Sequence, residues 1–152
     1  MLKPLILLAA PVALVAAAAP VPDGNIVTIR VTNVRNAKGR LHVDLCLQAT
    51  FLKDGCPLSA SAPAQTPVTV LVVKNVPAGH YAAQLFHDEN SNDKMDRGLF
   101  GIPKEGVAFS RDALKAMSAP KWTDAEFGFA GGAQAIQVKM HYYLGGSGPQ
   151  AR

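Results

Sequence analysis

The chain reads as an all-β protein, an antiparallel β-sandwich of immunoglobulin-like or prealbumin-like type with at most one or two short helices. Three observations predict this. Apolar and polar residues alternate over several short runs, turn residues separate those runs, and little of the chain has helical periodicity. No segment repeats at a period of about 20–50 residues, which excludes a solenoid.

The first stretch is set apart from the rest. Met1-Leu2-Lys3 is a short positive region, Pro4 to Val15 is apolar, and Ala16-Ala17-Ala18 offers small residues for cleavage. This predicts a secretory signal peptide over residues 1–18. A membrane anchor is the rival reading, but the apolar run is short for a span of ~20 residues and no charge cluster follows. No Cys follows the run, which argues against a lipoprotein. Residues 19–144 then form one sandwich domain and 145–152 a Gly/Ser/Pro-rich flexible tail. The expected location is the periplasm or outside the cell, with no integral membrane span left after signal cleavage.

Val27, Ile29 and Val31 alternate with Thr28, Arg30 and Thr32, the mark of a half-buried strand. After the turn Asn36-Ala37-Lys38-Gly39, Leu41, Val43, Leu45 and Leu47 alternate with polar residues, which predicts an antiparallel hairpin with the first strand. Residues 50–66 read as a loop, with at most one helical turn. Val68 to Val73 is β-branched and nearly continuous, as in a strand buried on both faces or crossing the core. Pro77-Ala78-Gly79 turns into a strand from Tyr81 to His87. Residues 88–106 are a polar loop. Asp112 to Met117 is expected to form a short helix capped by Ser110 or Asp112. Trp122, Phe127 and Phe129 are candidate core aromatics, and Ile136 to Tyr143 alternates as a last strand.

The formal charge of +4 falls to +3 without Lys3, and the basic residues are scattered. That supports solubility and gives no nucleic-acid footprint. Cys46 and Cys56 are the two cysteines, and Asp54-Gly55 between them lets the chain turn back. In an exported protein an even count predicts a disulfide, worth about 3 kcal/mol in the chain-entropy model. Two free thiols or a thiolate metal site are the alternatives, and the spacing is not that of a C-x-x-C motif. Cys46 lies on the parity opposite to the Leu/Val face, so the bond would tie the following loop to the outside of the sheet.

Pro77-Ala78-Gly79-His80-Tyr81-Ala82 is followed by His87-Asp88-Glu89-Asn90-Ser91-Asn92, then Asp96, Gly101-Ile102-Pro103-Lys104-Glu105-Gly106 and Phe109-Ser110. In order and spacing this resembles the bacterial family catalogued as domain of unknown function 2141. The resemblance covers nearly all of the chain after the signal peptide. It implies an extracytoplasmic β-sandwich and carries no catalytic residue. Asp93 departs from the family pattern, which has Gly there. The Pro-Ala-Gly-x-Tyr strand opener also resembles prealbumin-like and collagen-adhesin B-type sandwiches, some of which carry Asp/Asn calcium loops.

The polar loop is the candidate site. Asp88, Asn90, Asn92, Lys94 through its carbonyl, and Asp96 fall on the first, third, fifth, seventh and ninth positions of an EF-hand-like loop. The sixth position is Asp93 rather than Gly and the twelfth is Leu99 rather than Glu, so the match is partial. Two readings stay open: a weak calcium site, and an Asx-rich turn whose side chains bond their own backbone. Ile102 is expected in the core and Glu105 on backbone amides. His42 and His141 face solvent by parity, and His87 either bonds the loop backbone or is oriented by Asp88. A zinc site is disfavoured, because no histidines pair at ligand spacing.

No G-x-S-x-G elbow or phosphate loop is present, and the carboxylates of the polar loop look too solvated to hold a raised pKa. The expected function is therefore a non-catalytic binding or accessory module whose partner is an envelope protein or a glycan, with calcium as the candidate cofactor. The rival is a hydrolase-type enzyme built around His87, Asp88 and Glu105.

Overall fold

Two sheets pack face to face. The computed structural model describes residues 24–116 and 118–149. The signal peptide expected at 1–18, the end of the tail and Met117 lie outside the described residues. The described residues form eight strands: β1 Ile26–Thr32, β2 Arg40–Cys46, β3 Leu58–Pro63, β4 Thr69–Lys74, β5 Gly79–Asp88, β6 Gly106–Phe109, β7 Phe127–Phe129 and β8 Ala133–Lys139. The first sheet has the order β4-β1-β8. The second has the order β3-β2-β5-β6, with β7 pairing the start of β5. All pairings are antiparallel except β1 with β8, which run parallel with Ile29 opposite Ile136.

Alternation decides which side chains meet in the middle. Val27, Ile29 and Val31 of β1, Leu71 and Val73 of β4 and Val138 of β8 face Leu41, Val43 and Leu45 of β2 and Tyr81, Ala83 and Leu85 of β5. Most of these are fully buried, and each such side chain removed from water stabilises the fold by about 1.5–3 kcal/mol. Of the alternating set expected for the last strand, Val138, Met140 and Tyr142 are buried and Ile136 is half-buried against the core, although β8 itself ends at Lys139.

β1 and β2 do not form a hairpin. They lie in opposite sheets, and the link between them crosses the sandwich. Asn33 sits at φ 62 and ends β1, and Val34 is fully buried within the crossing. Period-two alternation tells which face is buried, and two strands facing each other across a core show the same pattern as two neighbours in one sheet.

Three further expectations are corrected. The loop read over 50–66 contains β3, whose Ser/Ala alternation is too weakly apolar to announce a strand. β4 is half-exposed rather than buried on both faces: Val70 is 50 % and Val72 41 % exposed, because β4 is an edge strand with no layer outside it. The helix expected at 112–117 is replaced by a 3-10 turn at Ser110–Asp112, in which Arg111 and Asp112 take positive φ. The Ser110 hydroxyl caps nothing. It accepts the Ala83 N–H at 2.9 Å and donates to the Ala125 carbonyl. A short helix, α1, occurs instead at Trp122–Ala125. Of the predicted core aromatics Phe129 is in the core between the sheets and Phe127 is half-buried against it, while Trp122 is half-buried against a separate cluster on the outer face of the second sheet.

The Cys46–Cys56 disulfide is formed. It folds the loop after β2 onto the outer face of the second sheet, where Cys46, Phe51, Ala82, Val107 and Phe109 make a second, smaller core. Phe51 meets Phe109 and Trp122 edge-on at 6.1 and 5.8 Å. The second sheet is thus covered on its inner face, less completely at β3, and on its outer face in part. At the start of the tail, Arg35 donates to the carbonyls of Leu144 and Gly146. Among the described residues no helix is long and apolar enough to cross a membrane.

Candidate functional site

β5 carries His87 and Asp88 on consecutive positions, so they point to opposite faces of the sheet. His87 faces inward and is fully buried. Its Nε2 lies 2.8 Å from the Lys38 carbonyl, which can only accept, so Nε2 carries the proton. Nδ1 then accepts from the Tyr142 hydroxyl at 2.9 Å, and that hydroxyl accepts the Arg35 N–H at 3.1 Å. The Arg35 guanidinium stacks 4.4 Å over the Tyr142 ring and pairs with Glu89, which Asn36 also holds. Burial pushes the His87 pKa down, although its bond to the Lys38 carbonyl works the other way. Burial likewise pushes the Tyr142 hydroxyl up to about 12. This relay ties β5 to the crossing after β1 and to the segment after β8.

Asp88 faces outward yet is also fully buried, because the loop that follows folds over it. Its oxygens accept the N–H groups of Asn92 at 3.1 Å and Asp93 at 2.8 Å. Burial alone would raise its pKa. The N–H groups of Asp93 and Asn92, together with the nearby His42, outweigh burial and hold the carboxyl below its ordinary range. Glu105 is clamped in the same way, accepting the N–H groups of Glu89 and Asp96 at 3.1 Å each, as expected for its position. In Glu105 burial wins and raises the pKa, with the charges of Asp88 and Asp96 acting in the same sense. The expectation that no carboxylate here could have a raised pKa is therefore corrected: loop closure, not loop composition, sets the local solvation.

Asn90, Asn92 and Asp96 come together above Asp88. The Asn90 amide donates to Asp96 at 2.8 Å and the Asn92 amide at 3.1 Å. The Asn90 and Asn92 oxygens accept the N–H groups of Asn92 and Lys94, the Asx-turn arrangement. Asp93 takes φ 58, the left-handed region that a Gly would adopt without cost. Ile102 is half-buried in the wall of a shallow pocket rather than in the core, because the segment before β6 runs along the surface.

Several motif residues owe their place to packing. The Tyr81 hydroxyl reaches back to the Pro77 carbonyl at 2.9 Å, which explains the spacing within Pro-Ala-Gly-x-Tyr. A Cβ on Gly106 would overlap the Tyr142 ring, and one on Gly39, at φ +65, would overlap the Asp88 carbonyl.

The outer face of the second sheet holds what the sequence did not disclose. A cleft of about 880 Å³ lies there, lined by His42, Asp44, Ser61, Gln84, Phe86 and Arg97 among others. His42 is not solvent-facing. Its ring stacks on Phe86 at 4.7 Å and 9°, and its Nε2 lies 3.5 Å from Asp88 Oδ2 and 3.6 Å from Asp93 Oδ1. His42 and Phe86 are direct partners in the β2–β5 register; the available signal was their matching parity, usable only once that pairing is known. His141 is half-buried too, with its Nε2 shielded from solvent. His87, Asp88 and Glu105, the set considered for hydrolysis, do not share a cavity face, since His87 points into the core with both nitrogens engaged.

The family described as "Uncharacterized protein conserved in bacteria (DUF2141)" matches residues 29–137, and the chain belongs to it. No curated protein and no solved structure matches.

Proposed function

We propose that this DUF2141 member is an exported, non-catalytic binding or accessory module of the bacterial cell envelope, periplasmic or secreted, that holds a glycan in the outer-face cleft. The observation that carries this reading is the cleft itself. Its floor is the stacked His42–Phe86 pair, and its walls present hydroxyl, amide and charged groups of both signs from Ser59, Ser61, Gln84, Asp44 and Arg97. An apolar floor with a few convergent polar groups is what a small polar ligand needs. An envelope protein is the other candidate partner and would use the same face. NMR titration of the protein with bacterial cell-wall oligosaccharides tests it. The amide signals of Gln84 and Ser61 are expected to move; signals that stay still at both would overturn the glycan reading.

Calcium belongs to this proposal as a loop-ordering ion. The Asn90 and Asn92 amides both reach Asp96, and Asp88 accepts the Asn92 N–H, so this part of the loop is drawn together; the Lys94 carbonyl is the further ligand proposed. Binding requires the two Asn amides to turn their oxygens inward, which limits affinity to the order of 10⁻⁴–10⁻³ M. A rise in melting temperature with millimolar calcium is expected, and no rise sinks the idea.

A further inference from the structure

Two buried side-chain polar atoms among the described residues have no hydrogen-bond partner: Nε2 of His42 and Nε2 of His141. A buried polar atom without a partner costs free energy, so it calls for an explanation. His42 Nε2 sits between two carboxylate oxygens, 3.5 Å from Asp88 Oδ2 and 3.6 Å from Asp93 Oδ1. Those distances are long for direct hydrogen bonds. They match the edges of a tetrahedron around one ion with bonds of ~2.0–2.2 Å, which are about 3.3–3.6 Å long. The three ligand atoms all lie within 4.8 Å of one another.

We propose that His42 Nε2, Asp88 Oδ2 and Asp93 Oδ1 form a site for a divalent transition-metal ion of the zinc type. Three separate elements build it: β2 gives His42, the end of β5 gives Asp88 and the polar loop gives Asp93. Phe86 fixes the His42 ring by stacking. The N–H groups of Asn92 and Asp93 fix the Asp88 carboxylate and leave its oxygens lone pairs for an ion. Asp93 is 80 % exposed and lines the cleft with His42. The fourth coordination position therefore opens toward the cleft, as in three-ligand zinc sites that keep one position for water or a ligand. Imidazole nitrogen and a low ligand count select zinc, cobalt, nickel or copper over calcium, which requires six to eight oxygens. This site is distinct from the Asp88–Asp96 calcium set and shares only Asp88 with it.

Titration of the purified protein with zinc by calorimetry, and with cobalt by visible absorption, tests the proposal. One ion per chain is expected, with the absorption bands of four-coordinate cobalt. His42→Ala and Asp93→Asn are each expected to weaken binding by ~10-fold or more, while His141→Ala leaves it unchanged. Asp93 is exposed, so its variant keeps the fold and its result stands even where His42→Ala is less stable. Absence of stoichiometric binding, or binding indifferent to His42→Ala and Asp93→Asn, overturns the proposal. So does binding that Asp96→Asn abolishes and His42→Ala leaves intact, which would locate the ion in the oxygen-only loop.

Discussion

His87 and His42 occupy opposite faces of one sheet and show what hydrogen-bond accounting can separate. His87 on the inner face is fully buried, and each ring nitrogen has one partner at about its ideal distance. It closes a relay that joins three segments, and nothing about it is left over for a ligand. His42 on the outer face is stacked and mostly covered, but its Nε2 has no partner and looks toward two carboxylates. A satisfied buried group stabilises the fold, and an unsatisfied one costs it stability. The difference marks the inner face as structural and leaves the outer face free for the binding role proposed above.

The comparison is broken most sharply by removing each histidine in turn. His87→Ala empties a core position and strands the Lys38 carbonyl and the Tyr142 hydroxyl. It is expected to cost about 4 kcal/mol of stability by urea denaturation. His42→Ala loses its stacking on Phe86 and its contact with the Asp88 carboxylate, together about 1–2 kcal/mol. Equal costs would show that the two faces are not divided as described.

A smaller effect is expected on the outer face. Replacing Cys46 and Cys56 by Ala releases the loop that covers the second core and lowers stability by about 3 kcal/mol. The inner relay does not touch this loop, so chemical shifts of Tyr142 and His87 are expected to hold in the folded variant. Their movement would show that the two cores are coupled.

The smallest effect is the pH dependence. The pKa of His87 is depressed, so below its ordinary value of 6.5 the unfolded chain takes up a proton that the native protein refuses, and stability falls as the pH drops. Asp88 is depressed too, and its contribution is lost as the pH falls from its ordinary 3.8 through its native value. Glu105 is raised, so it acts in the opposite sense: native protonation begins above its ordinary 4.5 and adds stability on acidification across that window. Asp88→Asn should flatten the loss below pH 3.8 and leave the His87 step in place. An unchanged slope below that pH removes Asp88 from the account.

The candidate loop was legible because its chemistry is local. Asx turns join residues two to five apart, so Asp88, Asn90, Asn92 and Asp96 could be grouped from spacing alone. Glu105 was also foreseen on backbone amides. His42 was not, because it lies far from Asp88 and Asp93 in sequence and reaches them only through the β2–β5 register. The same limit hid β3, whose Ala and Ser residues become a strand by pairing with β2 rather than by their own pattern.

By itself the sequence determined the family, the all-β class, the disulfide and the inward faces of β1, β2, β5 and β8, since alternation, cysteine count and turn residues are properties of neighbouring positions. Only the tertiary structure decided that β1 and β2 lie in opposite sheets, that β8 runs parallel to β1, and that His42 joins Asp88 and Asp93 at the cleft. Strand neighbours are chosen by closing a common core, and that choice depends on every strand at once.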